Sequence, residues 1–373
     1  MLLKQFGAAT EMVSAIGQGT GKGGSQAREA HYDISYGRLL RMGIDQGMTL
    51  IDTAEEYGMG AAEKAVGAAI KGIRDKVFIT TKLSSEHCSQ QDVMSAAERS
   101  LRRLGTDYID LYQIHWPNPL IPVEETVEAM ARLVRQEKVR YIGVCNMLRK
   151  LLDRAYRAAG ETALSSVQAE YNLFDRSPED EILPFCRSNG ISFLAYSPLD
   201  QGSIVNGGPQ RALIAELAST YGKTPAQIAL RWLIGQESVF VIPHTDNERH
   251  LLDNAAAADF DLCEEDMQRI DATCSAARVQ IAVKDICVPW KRGENTLQTR
   301  EDAIHNRMDF IPSPSELSQS VLAGEHIKPI RVRRLAAEEK VESIFELVEG
   351  KLRYWAWVLA FGDDAEIPAL IRE

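Results

Sequence analysis

Four side chains suited to proton transfer stand at the ends of apolar runs. Asp52 ends MTLID, Tyr57 follows five residues later, Lys82 ends FITTK, and His115 follows LYQI. Each alone has an ordinary explanation. Asp52 suits a helix cap, Tyr57 suits packing, Lys82 suits a strand exit, and His115 suits a satisfied core position. Together they form a set that could reduce a carbonyl group. A nicotinamide would bring the hydride, because side chains cannot. The carbonyl oxygen needs a proton at the same time, and tyrosine, with a reference pKa of about 10, gives one up poorly near neutrality unless tuned. A buried ammonium, Lys82, stabilises the phenolate and lowers that value. A buried ammonium in turn needs a counter-ion, which Asp52 supplies. His115 can donate a hydrogen bond to the developing alkoxide and orient the carbonyl.

The elements that must position these groups follow a regular beat. Short apolar, β-branched runs near residues 49, 77, 109, 139, 165, 191 and 238 alternate with amphipathic stretches such as QQDVMSAAERSLRRLG and PVEETVEAMARLVRQEK. Strands apolar on both faces, alternating with helices, predict a parallel sheet covered by helices. A further run near 13–18, VSAIGQ, makes eight strands. Eight such units over about 250 residues have the size of a (β/α)8 TIM barrel, in which the C-terminal strand ends form one mouth. Asp52, Lys82 and His115 then sit on three consecutive strand ends. A doubly wound sheet is the alternative. The beat stops near 275, which predicts a barrel over 1–275 and a smaller unit over 276–373.

The chain has 373 residues, room for one large domain and a small one. It is 45% hydrophobic and 25% charged, the composition of a globular protein. A net charge of -11 argues against nucleic acid as a partner. The start MLLKQFGAAT lacks an apolar core of signal-peptide length, and no run of about 20 apolar residues suggests a membrane span. Six scattered cysteines without a CxxC pair suit reduced thiols in the cytoplasm better than a disulfide frame or a metal site. Oligomeric state is not readable from these features.

The chain resembles the aldo-keto reductases in GQGT (17–20), IDTAEEYG (51–58), ITTKL (79–83), LYQIHWP (111–117), IGVCN (142–146), VQAEYN (167–172), AYSPL (195–199) and IPHT (242–245). These segments run in the family's order over roughly residues 1–272. The resemblance implies a (β/α)8 barrel, NADP(H), with NAD as an alternative, and reversible reduction of a small aldehyde or ketone. By motif, Asp52, Tyr57, Lys82 and His115 correspond to the catalytic four. Gly19, Thr20 and Asp52 line the nicotinamide end. Asn146 and Gln168 match carboxamide-binding positions, with Cys145 where the family usually has serine. Tyr196 matches the residue that stacks on the nicotinamide, and Ser197, Leu199 and Gly202 lie in the pyrophosphate loop. On the adenine side stand His244, Thr245, Arg249, His250 and Asn254. His244 and His250 occupy positions where the family usually carries Lys or Arg. A 2′-phosphate prefers permanent cations in a fixed fork, so this departure bears on NADP over NAD. GTGKGG (19–24) formally fits GxGxxG but lacks a βαβ setting, and reads as a turn after the first strand.

Residues 279–373 resemble the N-terminal domain of the ParB and sulfiredoxin superfamily, an α+β module, through SELSQSV, IKPIRV and LVEGKLRYWA. The resemblance implies a nucleotide phosphate at Gly350 to Arg353, where a helix opens. A helix N-terminus approached by glycine and arginine suits an anion, and Arg331, Arg333 and Arg334 add charge. The nucleophilic cysteine of sulfiredoxin is missing, and acidic residues outnumber basic ones, so a DNA face is not expected. The plainer reading is a module that packs through Trp290, Trp355 and Trp357. Two other functions therefore stand beside the reductase: a nucleotide-responsive binding protein, and a barrel that binds cofactor without turnover.

Overall fold

The computed structural model describes residues 1–7, 11–21, 31–205, 209–274, 279–289, 297–308, 310, 312–324, 327–335 and 343–372. The chain divides into two compact units. One holds Met1–Met147 and Leu151–Ser275, the other Leu148–Lys150 and Ala276–Glu373.

The first unit is built on eight strands: β1 (Gln18–Gly19), β2 (Leu50–Asp52), β3 (Phe78–Leu83), β4 (Ile109–Ile114), β5 (Val139–Cys145), β6 (Leu164–Glu170), β7 (Ser192–Tyr196) and β8 (Val239–Val241). Each pairs in parallel with the next, from β1 to β8. Ile16, just before β1, makes a parallel bridge to Val241 of β8, and the Gly17 amide donates to the Val241 carbonyl at 2.8 Å. The sheet therefore closes on itself. A doubly wound sheet would leave two edges, so that alternative is excluded. Every residue of β2, β3 and β4 is buried, the expected signature of strands covered by helices outside and side chains inside.

The predicted helices between strands include Ala61–Ala69, Gln90–Leu104, Val123–Arg135 and Pro225–Gly235. Their ends are written in the sequence. The Ser89 hydroxyl accepts from the Asp92 amide, Gly105 closes the same helix at φ 65°, and Thr224 with Gln227 forms a capping box. Three more helices, Ile34–Asp45, Pro209–Tyr221 and Glu264–Cys274, fall outside the simple beat. The latter two each neighbour another helix with no strand between, so strand–helix alternation could not separate them. A hairpin of Leu3–Gln5 and Met12–Ser14 precedes β1. Its Phe6 ring lies 4.7 Å from Phe78 and 5.4 Å from Phe240, filling the barrel end opposite the predicted mouth.

The second unit is α+β. Its five-stranded mixed sheet runs in the order Val279–Ala282, Glu366–Arg372, Ile330–Arg334, Phe345–Glu349, Ile286–Cys287. Helices Arg300–Ile304, Pro314–Leu322 and Lys351–Phe361 accompany it, and its own core holds Ile330, Val332, Leu347, Trp355 and Val358. The Trp355 indole donates to the Leu297 carbonyl at 3.2 Å and that of Trp357 to Glu366 at 3.0 Å. Trp290 lies outside the described residues.

Candidate active site

The barrel brings the four expected residues together. Asp52 ends β2, Lys82 stands one residue before the end of β3, and His115 directly follows β4, where its amide still bonds to the Leu83 carbonyl at 2.9 Å. Tyr57 opens a tight turn after β2. Gly58 and Gly60 of that turn have φ of 55° and 88°, and a Cβ on Gly58 would sit 2.6 Å from the Tyr32 ring. Glycine is thus required where the chain folds back beside Tyr57.

Lys82 is fully buried. Its Nζ lies 2.6 Å from Asp52 Oδ2, 2.9 Å from the Thr53 carbonyl and 3.4 Å from the Tyr57 hydroxyl. Burial works to lower its affinity for a proton, but the Asp52 carboxylate and Tyr57 more than offset this, so the ammonium is held above its ordinary value. Burial is also the largest effect on Tyr57. Lys82 pulls that phenol down as expected, while Asp52 opposes it, and the net result is a pKa pushed up to about 12. The net lowering expected from the sequence is thus overturned: burial outweighs the pull of Lys82, and the phenol holds its proton more firmly than a free tyrosine does. The His115 ring meets Tyr57 edge-on at 5.5 Å.

Two neighbours of this set escaped sequence reasoning. The Glu56 carboxylate lies 2.6 Å from His115 Nδ1, and its other oxygen accepts from Ser84 Oγ at 3.0 Å. Gln113 accepts from Thr80 Oγ1 at 2.8 Å and from Gln168 Nε2 at 3.1 Å inside the barrel. A signal existed for both: a second carboxylate beside Tyr57, and an amide in the short buried strand IDLYQI.

The expected cofactor positions fall into three groups. Around the tetrad, Gln168 Nε2 donates to Asp52 Oδ1 at 2.9 Å. Asn146, at φ 57°, donates to the His115 carbonyl at 3.1 Å and accepts from the Tyr196 hydroxyl at 3.0 Å. Cys145 is buried and its thiol is pushed well up by burial. Ser197, Leu199 and Gly202 follow β7 in one loop, with φ of 48° at Ser197 and 87° at Gly202. At the end of β1, Gly19 and Gly21 leave no room for a side chain. A Cβ would meet the Ile242 carbonyl at 2.6 Å and the Tyr57 ring at 2.8 Å, respectively. Residues 22–24 of GTGKGG lie outside the described residues. Thr20 is wholly buried, yet its hydroxyl has no hydrogen-bond partner among the described residues. An orphaned buried hydroxyl beside a glycine cradle and the Asn146–Tyr196 pair fits a polar group docked at this mouth.

On the remaining side, Gly19, Tyr36, Pro243, Thr245, Leu251 and Asn254 share one cleft. His244 faces the Gly19 carbonyl through Nδ1 at 3.0 Å and Asp246 through Nε2 at 3.1 Å. Arg249 and His250 are exposed on the helix Glu248–Ala256 and do not line that cleft.

In the second unit, Gly350 caps the helix Lys351–Phe361 at φ 98°. Arg353 is directed inward. It donates to the carbonyls of Lys328 at 2.9 Å and Pro329 at 2.6 Å, and lies 3.5 Å from Glu349. Arg331 is buried against Glu349 at 2.8 Å, Arg333 pairs with Glu346, and Arg334 lies over the Phe345 ring. The arginines expected to add charge near this helix start are thus engaged within the unit, Arg331 and Arg333 by carboxylates and Arg334 by an aromatic ring. Among the described residues no helix is long and apolar enough to cross a membrane, and the six cysteines form no disulfide.

The barrel has many known counterparts. A family described as the aldo/keto reductase family matches residues 15–274. Methylglyoxal reductase YeaE of Escherichia coli (strain K12) is 37% identical over 270 residues, covering 72% of this chain and 94% of the relative. The crystal structure of the thermostable aldo-keto reductase Tm1743 with the inhibitor epalrestat is 41% identical, with a TM-score of 0.70. It covers 73% of this chain and all of the other. An aldo/keto reductase from Klebsiella pneumoniae, solved with NADP and acetate, is 38% identical with a TM-score of 0.65, covering 72% of this chain and 93% of the other.

Proposed function

The chain belongs to the aldo/keto reductase family, and we propose that its barrel reduces a small aldehyde or ketone with Tyr57 as the proton donor. It is an NADP(H)-linked oxidoreductase acting reversibly on carbonyl groups. The observation that carries the assignment of roles is Lys82, buried between Asp52 at 2.6 Å and the Tyr57 hydroxyl at 3.4 Å. When bound, the nicotinamide supplies the hydride. The proton leaves the Tyr57 hydroxyl for the carbonyl oxygen, and Lys82 faces the phenolate left behind. Asp52 keeps Lys82 charged through the exchange. His115 orients the carbonyl and stabilises charge growing on its oxygen.

Gly19, Thr20, Cys145, Asn146, Gln168 and Tyr196 would hold the nicotinamide end, with Ser197, Leu199 and Gly202 on the pyrophosphate. His244, Thr245, Arg249, His250 and Asn254 would hold the adenine side. His244 is engaged by Asp246 and Arg249 stands away from the cleft, so a 2′-phosphate there would meet no fixed cationic fork.

The domain boundary proposed is 275/276. For the second unit, the ParB/sulfiredoxin-like reading rests on the sequence segments quoted above. The Gly350-capped helix start favours a nucleotide phosphate there, but Arg353 would have to leave two carbonyls to reach it. The cytoplasmic reading rests on the scattered spacing of the six cysteines in the sequence.

The test is loss of NADPH and NADH absorbance with aromatic, aliphatic and 2-oxo aldehydes, methylglyoxal included, for wild type and Tyr57→Phe. The expected result is turnover by wild type and a fall of about 10²–10⁴-fold in kcat/KM for Tyr57→Phe, with NADPH still bound. Equal rates for the two proteins would remove Tyr57 from the proton-donor role.

A further inference from the structure

We propose that Glu56 is a positioning residue that makes His115 a doubly protonated, cationic hydrogen-bond donor. The inference rests on the reading of the barrel as a carbonyl reductase.

It follows from counting protons on one ring. Glu56 Oε2 lies 2.6 Å from His115 Nδ1. A carboxylate only accepts, so Nδ1 must carry a proton. A neutral imidazole has one N–H. With that proton committed to Glu56, a neutral ring would present Nε2 as a lone pair. Such a ring could accept a hydrogen bond but could not donate one to a carbonyl oxygen. Donation from Nε2, the role His115 has in the proposed reaction, therefore requires protons on both nitrogens.

Glu56 is arranged to support that charge. Ser84 Oγ holds its second oxygen at 3.0 Å, and the His115 bond keeps its carboxyl below the usual value against partial burial. The Asn146 amide fixes the ring's backbone by bonding the His115 carbonyl. The charged and titratable groups nearest the ring are Glu56, Tyr57 edge-on at 5.5 Å, and the Lys82–Asp52 pair behind Tyr57. The neighbouring Glu55 is engaged elsewhere, with His87 at 2.8 Å and with Arg99 and Arg103. Two carboxylates, Asp52 and Glu56, thus face two cations if the ring is protonated. With a neutral ring the site would carry an excess negative charge where negative charge must grow on substrate oxygen, which is unfavourable.

The experiment uses the full chain. The pH dependence of kcat/KM for carbonyl reduction is measured for wild type, Glu56→Gln and Glu56→Asp. Nitrogen-15 NMR of the histidine-labelled chain, with His115→Asn for assignment, reads the ring's protons directly. The expected result is two N–H groups on His115 at neutral pH in wild type. The alkaline fall in activity should lie about one pH unit or more lower in Glu56→Gln, with Glu56→Asp restoring part of the difference. A purely structural role for Glu56 would lower activity equally at every pH. A superimposable pH limb in Glu56→Gln, or a single N–H on His115 at neutral pH, would overturn the proposal. If wild type turns over no carbonyl at any pH, the reductase reading fails, while the NMR still decides the charge of the ring. If Glu56→Gln does not fold, the wild-type spectrum and Glu56→Asp carry the test.

Discussion

At the barrel mouth Lys82 is buried with one hydrogen-bond partner that can itself react, the Tyr57 hydroxyl. In the C-terminal unit Arg353 also stands near a left-handed glycine, but it is spent on the carbonyls of Lys328 and Pro329. The sequence singled out both cations, Lys82 at the end of an apolar strand and Arg353 in a glycine-led helix start. The difference lies in what each cation does once folded. Lys82 is held by Asp52 and remains directed at a group that changes charge during the proposed reaction. Arg353 donates to two backbone carbonyls of its own unit, which is a structural task. A cation singled out by its place in the sequence therefore marks a site only when its donors remain available.

The comparison can be broken at either end. Lys82→Met leaves the Asp52 carboxylate buried without its ion partner. The expected cost is about 3–5 kcal/mol of stability, together with a fall in kcat/KM of about a hundredfold or more as Tyr57 loses its neighbour. Thermal unfolding and steady-state rates check it, and unchanged stability would mean that Asp52 does not depend on Lys82. The effect of Arg353→Met should be smaller. Two carbonyls lose their donor, at about 1–3 kcal/mol, with kcat/KM of the barrel unaltered. The same melts, run with millimolar ATP on NADPH-saturated full chain, should show no nucleotide-dependent shift in wild type. A shift that disappears in Arg353→Met would give the second region a ligand and end the contrast. The smallest effect is expected from Cys145→Ser, which offers the nicotinamide end a better donor than a thiol. The KM for NADPH should move only a few-fold, in line with about one hydrogen bond. A change of a hundredfold would make residue 145 a main determinant of cofactor binding.

Much of the site was legible because barrel chemistry sits at strand ends. An apolar run that closes on Asp52, Lys82 or His115, within one residue of the strand's end, announces both the element and the group it delivers. Glu56 was not legible in its role. A carboxylate beside Tyr57 could equally face solvent, and only the approach of β4 brings His115 Nδ1 to 2.6 Å from it. Thr20 shows the same limit from the other side. Its place after β1 could be read, whereas the lack of a partner for its buried hydroxyl could not.

The net effect on Tyr57 also needed the fold. Sequence chemistry supplies the sign of the Lys82 contribution, since an ammonium always favours a phenolate. It cannot supply burial, which is the larger effect and sends the phenol up to about 12.

By itself, then, the sequence determined the strand–helix alternation, seven of the eight strands, the residues at their ends and the change of pattern near 275; the run at 13–18 expected as the eighth divides between the hairpin strand Met12–Ser14 and β1 at Gln18–Gly19. These are local properties, carried by side-chain type and period. Closure of the barrel through Ile16 and Val241, the pairing of Glu56 with His115 and the inward turn of Arg353 were decided only by tertiary structure. Each depends on the distance and direction between groups far apart in the chain, and no residue type or spacing encodes those.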